Sequence, residues 1–246
     1  MSPLVEDAAL NNAEWCDAFC RTHGITGRFD ETAWSSSERT PPYYPDAVTL
    51  SSGCSAERLL SRVDVGSGCS IKDSFADLDL SAHGFEVLFA AEWFRRARSR
   101  AGAESKRWSA VVGVHELDRW EAAWGEPPLP RPFFRSELLG DPRIRILGCF
   151  DGRRLRAGAI ANRSRNVIGL GNVFAADNDL ESALSGAASA ACAEWGAMPV
   201  VSYGFGESLD AAHRAGFETI GNLTVWAFAK PRRSSSPSSR DTSRAR

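Results

Sequence analysis

Nothing in this chain approaches the ~18–20 consecutive apolar residues that a membrane span requires. The opening stretch, "MSPLVEDAALNNAEW", is acidic and has no basic segment ahead of an apolar core, so it does not read as a signal peptide. These two absences predict a cytoplasmic protein without a membrane partner. No stretch resembles a P-loop, a dinucleotide GxGxxG or a serine nucleophile elbow. No C-x2-C pair occurs, and the six cysteines (16, 20, 54, 69, 149 and 192) are expected to be reduced thiols.

What is present is ordinary globular material. The 246 residues are 43% hydrophobic and 24% charged, enough for one large domain or two small ones. The formal net charge of −2 is unevenly spread. The last segment, "PRRSSSPSSRDTSRAR" (231–246), has five Arg against one Asp, which leaves the remainder at about −6. Such a Ser/Pro/Arg segment cannot bury a core and is expected to be disordered. The acidic body opposes a nucleic-acid partner.

Along the chain, "EDAALNNAEWCDAFCRTHG" has helical spacing and a stop at Gly24. Pro41, Pro42 and Pro45 then impose an extended segment, followed by a strand at Ala47–Leu50. "AERLLSRV" and "SFADLDLSAHGF" read as helices, and "FEVLFAAEWFRRA" fits either a strand or a helix. Residues 97–107 carry no large apolar side chain and form a linker candidate. Beyond it, "WSAVVGV" reads as a strand, and "HELDRWEAAWG" and "FFRSELLGD" as helices. Three strands follow, turning at "DG" and "NRSRN". A long Ala-rich helix, the strand "PVVSYGF", a helix stopped by Gly216 and a last strand, "FETIGNLTVWAF", complete the order β-α-α-β-β-β-α-β-α-β. The two helical crossovers require some parallel pairing and predict an α/β (α+β) layer structure.

That order, closed by "AAHRAGFETIGNLTVWAF", resembles the GNAT superfamily of Gcn5-related N-acetyltransferases over about half the chain, Trp108 to Phe228. The resemblance implies a mixed central sheet flanked by helices. An echo extends it. Ser70–Glu86 and Ser202–Glu218 have equal length, share the first Ser and the final Gly-Phe-Glu, and each precedes a Trp (Trp93, Trp226). This suggests two tandem GNAT-like halves: a degenerate one over 1–104 and a fuller one over 105–230, ahead of the tail 231–246. Chance remains the other explanation of the echo.

On the family pattern, "NVIGLGNVF" is the strand that splays from its neighbour and pairs with the pantetheine arm of acetyl-CoA or another acyl-CoA. Asn172, Val173, Phe174 and Ala175 are thereby implied as cofactor-binding positions, with backbone N–H groups near Asn172–Phe174 facing the thioester oxygen. The next helix would aim its N-terminus at the pyrophosphate. Here the sequence departs from the family. "AADNDLESALSG" has no Arg or Lys and no Gly until Gly186, and Asp177, Asp179 and Glu181 stand where a basic, glycine-rich loop is usual. Those carboxylates also suit plain helix capping. The family's thiolate-protonating Tyr is replaced by Ala212. His213, Tyr203 and Glu207 are the nearest candidates for catalysis: His213 offers an imidazole next to the replaced position or is a solvated helix-face residue, and Glu207 can serve as a general base or simply as a first-turn carboxylate.

Two further constellations carry weight. Cys16, Cys20 and His23 share one helical face, and with Cys54 and Cys69 suggest a metal site; the competing reading, which we adopt by assigning no metal ligand, is buried thiols packing as small apolar groups. "RTPPYYPDAVTL", with Trp34 nearby, offers Trp34, Arg39, Tyr43 and Tyr44 as substrate-binding residues on a stiff frame. The expected activity is acyl transfer from a CoA or carrier thioester to an amine of a small-molecule substrate. The alternatives are a non-catalytic GNAT-like module that binds a small molecule or partner, and a GNAT fold turned to another biosynthetic tailoring reaction. The sequence leaves open whether the chain works alone or as a homodimer.

Overall fold

The computed structural model describes residues 3–97, 106–125 and 130–229. Most of the expected linker and the whole basic tail lie outside the described residues. Helix α1 (Pro3–Thr22) opens the chain, and its apolar face, from Val5 through Ala8, Ala9, Trp15 and Phe19, is buried. Gly24, at φ +79°, turns the chain away as its missing side chain allows. Short strands β1 (Arg28–Phe29), β2 (Ala33–Ser35) and β3 (Ala47–Thr49) follow, then helix α2 (Ala56–Leu60) and strand β4 (Ser70–Asp73). The long strand β5 (Phe85–Arg96) ends this part of the chain.

The later elements are β6 (Trp108–Ala110), α3 (Val114–Trp124), β7 (Ile144–Asp151), β8 (Arg154–Arg163), β9 (Ile168–Ala175), α4 (Leu180–Trp195), β10 (Val200–Gly204), α5 (Glu207–Arg214) and β11 (Glu218–Phe228). Their order is the one read from the sequence except that a single α-helix, α3, separates β6 from β7, and the mixed α/β architecture follows it. Two expected helices are corrected. Over "SFADLDLSAHGF" only a 3-10 turn forms, at Ser81–His83. Asp73 accepts from the amides of Phe75 (3.1 Å) and Leu78 (2.9 Å), and Asp79 from that of Ser81 (3.0 Å), so side chains take the N–H groups a helix would use. "FFRSELLGD" likewise supplies only a 3-10 turn, Ser136–Gly140.

Among the described residues, eleven strands make one mixed sheet in the order β1-β2-β3-β4-β11-β5-β10-β9-β8-β7-β6. β5 resolves its helix-or-strand ambiguity through its neighbours: it runs antiparallel to both β11 and β10 and sits between them. Side chains of β5 alternate between faces as strand geometry requires. Trp93 packs with Val5, Ala8 and Ala9 of α1, while Phe94 packs with α4, α5 and Phe217, its ring 5.3 Å from that of Phe217. Phe217 thus fills the core beneath the turn at Gly216, whose φ is +81°. The sheet therefore carries helices on both faces.

The pairing of β5 with β11 has an internal symmetry. Glu218 lies opposite Arg95, and Glu86 opposite Ala227. The offset that superposes the two echoed segments, Ser70 onto Ser202, carries one of these pairs onto the other. In the order of the sheet, the parallel pair β3/β4 outside β11 mirrors the parallel pair β9/β10 outside β5, although the same offset does not carry β3 onto β9.

A polar seam seats α1 on the sheet. Asn11 donates to the Asn162 carbonyl and to Ser164 Oγ, each at 2.9 Å, and Asn162 donates back to the Asn11 carbonyl at 2.9 Å. These amides are buried, so each bond replaces one lost to water. The close approach depends on Gly169, where a Cβ would run into Asn11 Oδ1; at Gly171 a Cβ would meet nothing. Gly169→Ala is therefore expected to lower stability by about 1–3 kcal/mol, whereas Gly171→Ala changes it little. Denaturant unfolding of the two variants checks this, and equal stabilities would refute the seam's role.

Candidate active site

The stretch from Gly169 to Gly186 divides at the end of β9. Its first part borders a gap in the sheet. β9 and β10 pair in parallel only through Ile168 with Val200 and Gly169 with Val201. At the next position Ser202 donates its hydroxyl to the Leu170 carbonyl at 2.8 Å, and the strands separate. β9 runs on to Ala175 with β8 on its other side. Between Gly158 and Ile160 the β8/β9 register shifts, marking a bulge, and Asn172 in that stretch has φ +53°. Asn tolerates this region better than most residues because its short side chain bonds locally. A bulge re-aims the strand's backbone.

The gap is a cleft of about 350 Å³. It is bounded by β9 from Gly169 to Val173, by β10 from Val201 to Gly204 with Phe205 just beyond it, by α1 from one face and by Leu180 and Leu184 of α4 from the other. Aromatic rings of Trp15, Tyr43, Tyr44, Trp93, Trp124 and Tyr203 wall it. Among the described residues that line it, Lys72 is the one charged side chain. Lys72 is 3% exposed, donates to Asn12 Oδ1 at 2.8 Å and lies 3.9 Å from the centre of the Tyr203 ring. Cys16 also borders the cleft, but burial pushes its thiol up to about 11 despite the opposing field of Lys72, so it stays protonated at neutral pH and is a poor nucleophile.

The sequence-derived candidates separate accordingly. Tyr203, Asn172, Val173, Tyr43 and Tyr44 come together at the cleft. Tyr44 stacks on Phe19 at 3.7 Å, and its hydroxyl is buried with no partner among the described residues; burial raises its pKa well above that of a free phenol. Tyr43 is 74% exposed at the cleft mouth, φ +71°, with its ring edge-on to Trp124. Phe174 packs edge-on against Trp120 in the core on the α1 side, and Ala175 pairs with Ala157 at the strand's end. Trp34 is fully buried, donating to Asp17 at 2.9 Å. Arg39 is tied to Asp46 at 2.6 Å. These four do not reach the cleft.

The catalytic candidates separate too. Glu207 is exposed in the first turn of α5, and His213 bonds Thr219 Oγ1 at 3.0 Å, which donates to Glu92 at 2.6 Å. Neither lines the cleft. Ala212 is buried between α5 and the core. Cys16 and Cys20 belong to one core cluster and Cys54 and Cys69 to another, while His23 bonds the Phe133 carbonyl. Sequence reasoning missed Lys72 and Asn12. Lys72 sits in "SIKDSF", a short strand in which it lies between Ile71 and Asp73, with no local sign that it is buried.

The second part of Gly169–Gly186 is a capped helix start. Asp179 accepts from the Ser182 amide at 3.1 Å. Asp177 pairs with Arg156 at 2.7 Å, and that bond holds its carboxyl below the usual range; Glu181 pairs with Arg214 at 3.0 Å. The three carboxylates that oppose a phosphate are thus each engaged, two of them by arginines from neighbouring elements.

No protein-family model matches the sequence, and no curated protein sequence matches it. Solved structures do. A GCN5-related N-acetyltransferase from Kribbella flavida superposes with a TM-score of 0.55 at 12% identity, covering 89% of this chain and 96% of that one. A protein from the GNAT family of Novosphingobium aromaticivorans gives 0.54 at 13% identity, covering 90% of this chain and 99% of that one. At such identities the likeness speaks of architecture alone, and it spans nearly the whole of this chain. The chain has a GNAT fold, divergent in sequence.

Proposed function

We propose that this protein is an acyltransferase that moves an acyl group from a CoA or carrier thioester to an amine of a small molecule. The observation that carries the reading is the two-rung β9/β10 ladder, beyond which β9 continues, bulged, along the wall of the cleft. Backbone groups of Gly171–Phe174 left without a strand partner on that side need partners, and an acyl-pantetheine arm has amides to supply them. Attack of a neutral amine on the thioester carbonyl develops an oxyanion, which a β9 N–H can stabilise. Collapse breaks the C–S bond; the departing thiolate takes a proton from a cleft hydroxyl, for which Tyr203 is our choice, and the resulting phenolate takes up the proton that the acylated nitrogen sheds, which returns Tyr203 to its starting state. The chain would then comprise two GNAT-like halves that exchange their last strands, β5 and β11, a reading supported by the symmetric register of those strands.

A second reading, a small-molecule-binding module without catalysis, is favoured by one observation. No carboxylate or imidazole lines the cleft among the described residues, so no conventional general base faces the amine.

Two expectations test the CoA reading. Calorimetric titration with acetyl-CoA should show binding that survives Asn172→Gly, which keeps the backbone conformation, and weakens at least about tenfold in Gly171→Trp, which fills the cleft wall. Absence of binding at millimolar acetyl-CoA would refute the CoA reading. In the double variant Asp177→Asn/Glu181→Gln, Arg156 and Arg214 lose their partners and two negative charges are removed. Affinity for acetyl-CoA should rise several-fold at low salt, with the gain shrinking at high salt. Unchanged affinity would mean that the pyrophosphate binds away from the start of α4.

A further inference from the structure

Lys72 is placed where a lysine is costly. Its strand lies inside the sheet, opposite Val48 of β3 and Val225 of β11. Its neighbours on the strand alternate away from it, Ile71 packing with Trp226 on the other face. A buried ammonium ordinarily has a carboxylate partner. Here, among the described residues, no carboxylate lies within ion-pair distance; the ammonium has one amide oxygen, from Asn12, and the face of Tyr203. The buried Tyr44 hydroxyl, without a partner, borders the same cleft. A charged donor and a neutral donor are both left short of acceptors in one pocket whose other walls are aromatic.

Resting on the acyltransferase reading for the chemistry but not for the binding, we infer that the acceptor held in this cleft carries a carboxylate, bound by Lys72, and an apolar, aromatic-sized body stacked among Trp15, Trp93, Trp124 and Tyr203. The charge balance selects a monoanion. One buried cation neutralises one negative charge, whereas a pyrophosphate would leave surplus charge desolvated. The same ammonium favours a reactive amine on the ligand, because a second cation nearby is disfavoured and the ligand amine is held in its neutral, nucleophilic form.

The test uses the full chain and two matched probe pairs, 3-phenylpropionate against 3-phenylpropionamide and L-phenylalanine against L-phenylalaninamide, titrated calorimetrically without any thioester. Each acid should bind at least about tenfold tighter than its amide, the margin expected of a charge-assisted hydrogen bond. In Lys72→Met, which conserves volume and removes a buried charge, the preference should vanish. Lys72→Gln should abolish it as well, and melting without ligand confirms that each variant folds. Equal binding of acid and amide, no binding of either at millimolar concentration, or a preference that survives in a folded variant would overturn the assignment. Unfolding of both variants would give Lys72 a structural role and overturn it too. Because no thioester is present, the result is independent of whether acetyl-CoA binds.

Discussion

The site depends on one interruption: the parallel ladder between β9 and β10 stops after two rungs. A sheet normally satisfies every interior backbone group. Here Ser202 takes the Leu170 carbonyl, Asn172 adopts a left-handed conformation, and the strands part. The result is a slot through the sheet, reachable by side chains from both faces. The α1 residues Asn12, Trp15 and Cys16 enter from one side and Leu180 and Leu184 of α4 from the other.

The gap stays open because β10 is held elsewhere. Its partner on the far side is β5, paired along all five residues from Val200 to Gly204. β5 in turn pairs along its length with β11. A strand from the early part of the chain therefore clamps β10 away from β9, and α1, also early in the chain, covers the slot. Lys72 comes from the same region. The C-terminal elements carry the familiar order and supply β9, β10 and α4 to the cleft, but its α1 wall, Tyr43, Tyr44, Trp93 and, among the described residues, its one charge come from the residues that precede them. The buried seam of Asn11 and Asn162 fixes how closely α1 approaches, with Gly169 leaving the room.

Much of this was legible in the sequence. The element order from Trp108 to Phe228 followed from hydrophobic period and turn residues, and it pointed to the fold. "GLGNVF" was marked as the strand beside the cleft, and "AADNDLESALSG" as a capped helix start instead of a phosphate cradle. Other features depend on side chains far apart in sequence and have no local signal. The helix expected over Ser74–Gly84 gives way because Asp73 and Asp79 bind the amides themselves. Trp34 and Arg39 read as pocket residues on a rigid loop, yet Trp34 is buried with its indole on Asp17, and the partly exposed Arg39 is tied to Asp46 and Asp64 away from the cleft. Lys72 was invisible because its burial arises from β3, β11 and α1, none of which a reading of "SIKDSF" can foresee.

The electrostatics follow a consistent division. Asp177 and Glu181 at the start of α4 are paired with arginines, the outer polar chain of His213, Thr219 and Glu92 stays on the exterior, and among the described residues the cleft keeps a single cation. The central claim is that the unpaired side of β9 receives the arm of an acyl thioester. Amide hydrogen–deuterium exchange with and without acetyl-CoA tests it most directly. Protection should appear at Gly171–Phe174 and at the facing end of β10. Exchange at those amides unchanged by saturating acetyl-CoA, with protection confined to other segments, would contradict it.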